Sequence, residues 1–222
     1  MNSKVFFAKV KGKIGSIIFN IYDLIIDYRV CGCSLVKHVP TLWRESKGST
    51  SSVSTHYHTL KKVFEGEEFT EEDRFMDVGC AKGRIIAYMI STGFKGTLTG
   101  IEHNPEVAEY GKRWIEKKHY SNATILCGDA FAIDYNQYNK LFLARSFMPW
   151  AFKNFVAKLE SDLTHPIKLY YLFDQESGGY LRNRPGWTML RRGFVFKKFG
   201  LSLHYCRQGY SVWVYEPSGQ RE

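Results

Sequence analysis

Along this chain, apolar residues recur at helical spacing in some stretches and as short continuous runs in others. Ile14, Ile17, Ile18, Ile21 and Ile25 fall on one face of a helix, and Asn20, Asp23 and Asp27 fall on another. The stretch predicts an amphipathic helix, either packed on the domain or resting on an anionic membrane surface by its basic start. It is shorter than the about 20 apolar residues of a spanning helix, and no convincing cleavage site follows it, so neither an anchor nor a secretion signal is expected. Residues 37–54 turn to Pro, Gly, Ser and Thr, including Gly48-Ser49-Thr50-Ser51-Ser52, and predict a loop. The reading divides the chain into a helix and linker over 1–53 and a main domain over 54–222.

The main domain alternates strands and helices. Ser54 or Thr55 caps a helix to about Phe64, with Tyr57, Leu60 and Val63 or Phe64 inward. Phe75-Met76-Asp77-Val78-Gly79 is a strand running into a turn. Gly83 then opens a helix carrying Ile85, Ile86, Met89 and Ile90 on one face, with Gly93 as its stop. Thr97 to Ile101 is a second strand ending at Glu102. Asn104-Pro105-Glu106 follows as an N-cap, a proline at the first helical position and a first-turn acid, opening a helix to about Lys118. Further strands are read at Ala123 to Cys127, Lys140 to Ala144 and Lys168 to Phe173. Such alternation requires a parallel sheet with helices on both faces. The end differs: Phe194-Val195-Phe196 and Tyr210-Ser211-Val212-Trp213-Val214-Tyr215, joined through Arg207-Gln208-Gly209, predict a closing antiparallel pair.

Composition changes this picture little. At 222 residues with 44% hydrophobic content, one α/β domain with an extension is expected. A formal charge of +9 comes from both ends: Lys4, Lys9, Lys11 and Lys13 at the start, Arg182, Arg184, Arg191, Arg192, Lys197 and Lys198 near the end. It is consistent with a solvated basic surface or with an anionic partner. Cys31, Cys33, Cys80, Cys127 and Cys206 lack paired CxxC spacing, so no disulfide framework and no metal site are expected, and the compartment reads as a reducing cytoplasm. Cys80 and Cys127 fit as small core residues at strand ends. The tryptophans Trp43, Trp114, Trp150, Trp187 and Trp213 lack helical spacing and read as core.

The candidate chemistry lies at strand ends. Asp77, Glu102 and Asp129 terminate successive strands, 25 and then 27 residues apart, and ligands of open α/β sheets bind at those ends where strand order reverses. Gly79 and Gly83 let the backbone bend and approach a ligand ahead of a helix N-terminus. A dinucleotide fingerprint registered on Gly79 fails at Ala81 and Arg84, whereas the register D-x-G-x-x-x-G fits.

With Asp77-Val78-Gly79-Cys80-Ala81-Lys82-Gly83-Arg84, the two later acids and the closing antiparallel pair, the chain resembles the class I S-adenosylmethionine-dependent methyltransferases. It is most similar to small bacterial members with a D-x-G-C-G-K-G-R motif, over residues 54–216. The resemblance implies a three-layer, Rossmann-like α/β fold with a mostly parallel seven-stranded sheet. It implies S-adenosylmethionine as cofactor and S-adenosylhomocysteine as product. The loop Asp77, Gly79, Cys80, Ala81, Gly83 would hold the methionine moiety, Glu102 the ribose hydroxyls with His103 near the adenosine, and Asp129 with Ala130 the adenine. Tyr57, in the segment before the core, would belong to a lid.

Two departures bear on activity. Ala81 replaces the motif's middle glycine, acceptable if its φ is negative. Arg145-Ser146-Phe147 stands where the group commonly has Asn-Pro-Phe. Arg145, Ser146 and Asp174 are the candidate catalytic residues, with Arg145 also at the cofactor; Tyr57 and His56 are further candidates, and His56 and His58 read as one buried and one exposed histidine. The acceptor is expected to be a small anionic, glycan or lipid-linked molecule. A catalytically silent cofactor-binding module, a nucleic-acid methyltransferase (which here would lack an Asp/Asn-Pro-Pro-aromatic motif) and a protein methyltransferase are the alternatives.

Overall fold

The computed structural model of the protein describes residues 3–36, 55–175, 177–198, 201–202 and 207–217. In chain order these form α1 (Ser3–Cys31), α2 (Tyr57–Val63), β1 (Arg74–Val78), α3 (Arg84–Ser91), β2 (Thr97–Glu102), α4 (Pro105–Lys118), β3 (Ala123–Cys127), β4 (Lys140–Ala144), α5 (Pro149–Asp162), β5 (Ile167–Leu172), β6 (Trp187–Val195), β7 (Lys197–Lys198), β8 (Leu201–Ser202) and β9 (Gln208–Tyr215). The loop read over 37–54, its boundary at 53/54, the Ser54 cap, Trp43 and Cys206 lie outside the described residues.

The central sheet has the strand order β3-β2-β1-β4-β5-β9-β6. β1 pairs in parallel with β2 on one side, Val78 opposite Ile101, and with β4 on the other, Val78 opposite Leu143. From β1 the chain therefore steps outward to β2 and β3, then returns to place β4 and β5 on the far side. The crevice at the carboxyl ends of β1 and β4 is where such a reversal leaves room for a ligand. The closing antiparallel pair is present: β9 lies between β5 and β6, antiparallel to both.

Alternation along each strand sorts the core into two layers. Phe75, Phe142, Tyr170 and Val212 face one, shared with Leu60, Ile86 and Ala108 of the helices α2, α3 and α4. Met76, Leu141, Tyr171 and Trp213 face the other, closed by Phe152, Phe155, Val156 and Leu159 of α5. Helix α4 starts as its sequence requires, with Asn104 Oδ1 accepting from the amides of Glu106 and Val107 at 3.0 and 3.4 Å. Trp114, Trp187 and Trp213 are buried, but Trp150 is 53% exposed, so the reading of all five tryptophans as core is corrected there.

Two elements go beyond the sequence reading. β6 begins at Trp187 and not near Gly193, because it is an edge strand: Met189 and Leu190 face solvent and the register shifts between Met189 and Arg191, which erases simple alternation. A short β7–β8 ladder sits within the connection from β6 to β9.

The largest difference concerns α1. An amphipathic helix ordinarily turns its apolar stripe to the core, yet here Phe19, Asp23, Asp27 and Val30 are buried while the isoleucines are exposed, Ile17 by 59% and Ile25 by 62%. The acidic face is inward because it finds cations and donors there. Arg84 Nη1 lies 3.1 Å from Asp23 Oδ2 and Arg84 Nη2 lies 2.6 Å from Asp27 Oδ2. The amides of Tyr57 and Leu35 complete the set at 3.1 and 2.8 Å.

Candidate active site

The turn from β1 to α3 is built by backbone bonds to the neighbouring strand. The amides of Gly79 and Cys80 both donate to the carbonyl of Ile101, at 2.9 Å each, and Gly83 N donates to Cys80 O at 2.8 Å. Gly79 has φ +75 and its hydrogen faces Ser146: a Cβ there would lie 2.5 Å from Ser146 Cβ. Only glycine meets both demands. Cys80 turns inward, with Sγ packed over Gly100, and burial pushes its thiol well up. Its side chain is therefore core, and only its backbone belongs to the turn. Ala81 adopts φ 50, the left-handed conformation, so the expectation that it would need negative φ is overturned. Its amide reaches Glu102 Oε2 at 2.9 Å, which holds the residue there.

Asp77 and Glu102 are brought together. Asp77 is 1% exposed, and its Oδ2 has no hydrogen-bond partner. Burial first, and the Glu102 charge second, hold its carboxyl well above the ordinary range. Glu102 is half-buried, with Oε1 accepting from Asn104 N at 2.9 Å. Burial raises its carboxyl, and the amides of Asn104, Ala81 and His103 oppose the rise. Asp129, exposed two residues beyond β3, caps a short 3-10 turn through Phe131 N at 2.9 Å. Ala130 begins that turn, and His103 is exposed beside Glu102. The three acids thus lie along the same sheet edge, with two in electrostatic contact and the third on the adjoining loop.

Across the strand-order reversal, Ser146 Oγ donates to Val78 O at 2.6 Å, tying the end of β4 to the glycine turn. Arg145 precedes it, exposed and at φ 51, and Phe173 follows β5 at φ 61. With Ala81, three of the four non-glycine residues at positive φ among the described residues sit at this edge, where strained backbone commonly accompanies a binding function. Asp174 is 1% exposed; its Oδ2 is 3.3 Å from Arg192 Nε, and its Oδ1 is buried without a hydrogen-bond partner. Phe131 and Phe147, 5.7 Å apart between ring centres, join the loops after β3 and β4. Phe131 carried no motif, and only the strand-end position could have flagged it.

The segment before the core is placed differently from the reading. Tyr57 is 2% exposed and its hydroxyl donates to Asp27 Oδ1 at 2.8 Å, which makes it a core residue rather than a lid. His56 Nδ1 lies 2.6 Å from Asp23 Oδ2, and His58 stacks on Tyr22 at 4.4 Å. Both are half-buried, so the division into one buried and one exposed histidine does not hold. Lys82 and Arg84, the two cations of the motif, face this N-terminal segment: Lys82 Nζ donates to Leu35 O at 2.9 Å.

The model of a methyltransferase domain family matches residues 69–163 of the chain, the part that runs from the start of the sheet through α5. A protein-L-isoaspartate O-methyltransferase from Methanococcus aeolicus is 23% identical over 138 residues, covering 58% of this chain and 63% of its own; the chain thus spans under two thirds of that relative. An RNA methyltransferase from Salinibacter ruber, solved with S-adenosyl-L-homocysteine, superposes with TM-score 0.54 at 17% identity, covering 77% of this chain and 97% of that one. A tRNA methyltransferase from Bacillus subtilis superposes with TM-score 0.54 at 16% identity, over 71% and 64% of the two chains.

Proposed function

We propose, from the premise that this chain is a class I methyltransferase by its fold and its matched domain, that it transfers the methyl group of S-adenosylmethionine to an acceptor held over the ends of β4 and β5. The observation that carries the reading is Asp77, a buried carboxylate with an unpartnered oxygen beside Glu102 at the strand-order reversal. A desolvated acidic pair is costly unless something positive joins it, and S-adenosylmethionine carries positive charge. The residues present fit that ligand. Asp77 and the turn Gly79, Cys80, Ala81, Gly83 would take the methionine end, Cys80 by backbone alone. Glu102 would take the ribose hydroxyls with His103 alongside, and Asp129 and Ala130 the adenine.

The bound cofactor supplies a methyl group made electrophilic by its sulfonium. What the protein must add is alignment of a nucleophile, and positioning supplies about 7–11 kcal/mol in well-oriented systems. Arg145, Ser146 and Asp174 border that position, Arg145 also touching the cofactor in this reading. The acceptor we favour is a small anionic, glycan or lipid-linked molecule, supported by the +9 charge of the chain. The compartment we favour is a reducing cytoplasm, supported by cysteines that lack paired CxxC spacing.

Glu102→Ala should weaken S-adenosylhomocysteine binding by about 1–3 kcal/mol in calorimetry; an unchanged affinity would remove Glu102 from the site. A second reading, a module that binds cofactor without turnover, is favoured by Ala81 in the left-handed region. It predicts binding without methyl release on cell extract, and product that disappears in Arg145→Ala would refute it. Relatives acting on RNA and on protein make those acceptors the arms to include in the assay.

A further inference from the structure

We infer that the isoleucine face of α1 is a docking surface for an anionic lipid bilayer. Ile14, Ile17, Ile18, Ile21 and Ile25 form a continuous exposed stripe, flanked by the exposed rings of Tyr22 and Tyr28. From Ile14 to Tyr28 it extends roughly 20 Å at the rise of an α-helix. An apolar stripe of this kind on a folded protein marks an interaction site.

Charge identifies the occupant. α1 contains Lys4, Lys9, Lys11, Lys13 and Arg29 but only two acids, Asp23 and Asp27. Both acids are fully buried and paired with Arg84. The inversion that exposes the isoleucines therefore also withdraws every carboxylate of the helix from solvent, and the remaining formal charges in its sequence are all positive. A second copy of the chain docking on this face would bring two such helices together and oppose like charges. A bilayer with acidic headgroups offers the complement: phosphates and carboxylates for the lysines, the acyl boundary for the isoleucines, and the headgroup level for the tyrosines. No helix among the described residues is long and apolar enough to cross a membrane, so α1 lies along the surface. The inference does not depend on which acceptor the crevice serves.

Flotation of the full chain with vesicles tests it. Phosphatidylcholine vesicles containing phosphatidylserine should retain the protein, phosphatidylcholine alone should retain it at least tenfold less, and raising the salt should release it. Ile17→Ser/Ile21→Ser/Ile25→Ser should lower retention about tenfold or more with an unchanged melting temperature, since all three side chains are exposed. Should that variant lose its melting transition, Ile25→Asn alone carries the test, with retention lowered about threefold. The inference is overturned if anionic vesicles do not retain the chain, if they retain it no better than neutral ones, or if the serine variant floats like the parent. A dimer in sedimentation that the serine variant dissolves, with no vesicle binding by either, would assign the face to a second copy.

Discussion

Two pairs of acids lie on either side of the start of α3, one bonded to Arg84 and the other beside the glycine turn, and are treated in opposite ways. Asp23 and Asp27 are fully buried, and each of their four oxygens accepts from a donor: Tyr57 N and the Tyr57 hydroxyl on one side, His56, Leu35 N and Arg84 on the other. Asp77 is just as deeply buried, yet one oxygen is left alone with Glu102 as its charged neighbour. The first pair fastens a helix to the domain. The second is a buried acid short of a partner, a feature that calls for an explanation and that a cationic ligand would supply. Burial alone therefore does not separate a structural carboxylate from a functional one, and the completeness of the carboxylate's own hydrogen bonding is what differs between these two pairs.

The comparison is broken most severely at Arg84. Arg84→Met leaves two fully buried carboxylates without their cation, and removing one partner of such a cluster costs about 3–5 kcal/mol. Urea unfolding should show a midpoint lowered accordingly. A loss below about 1 kcal/mol would equate the pair with exposed ion pairs and would remove the contrast on which the site assignment rests.

At the other pair, one substitution should move stability and affinity in opposite directions. In the unfolded chain Asp77 ionises near its ordinary 3.8, while the folded value is raised by burial and by Glu102. Between the two, the folded state holds the extra proton, so this group's contribution falls as pH rises. Asp77→Asn removes that penalty and should stabilise the ligand-free protein by about 1–3 kcal/mol at neutral pH, a gain that fades as pH drops through 3.8. The same variant should lose S-adenosylhomocysteine affinity, and in the parent that affinity should climb with pH through the raised value of Asp77. Melting curves and calorimetry across pH measure both. A variant that is less stable and binds normally would make Asp77 a structural residue.

How much of this was readable beforehand depends on how local the deciding interaction is. The parallel strands were legible because each is a short apolar run bounded by its own turn residues, and the acid spacing located the sheet edge. The cap at Asn104-Pro105 was legible for the same reason. The orientation of α1 was not: periodicity defines two faces of a helix but does not say which one meets the protein, and the partner that decides it, Arg84, is 57 residues from Asp27. Tyr57 was misread as a lid through the same missing contact. The unpartnered oxygen of Asp77 has no signature in sequence, because it is defined by what neighbouring strands fail to supply.

The smallest expected effect is at Ala81, where the turn itself touches the second pair. With φ 50 its Cβ is held in the left-handed region, at a cost of roughly 1–2 kcal/mol relative to an unstrained residue. Glycine adopts that conformation freely but brings back unfolded-state entropy of about 0.4–1 kcal/mol. The balance predicts that Ala81→Gly stabilises the protein by about 0–1.6 kcal/mol, measured as a raised melting temperature. Because the backbone amide of residue 81, not its methyl, bonds Glu102, S-adenosylhomocysteine affinity should be kept or slightly improved. A destabilised glycine variant would mean that the Cβ makes contacts worth more than the strain, and a variant that binds less well would mean that alanine's stiffness is what holds the amide on Glu102.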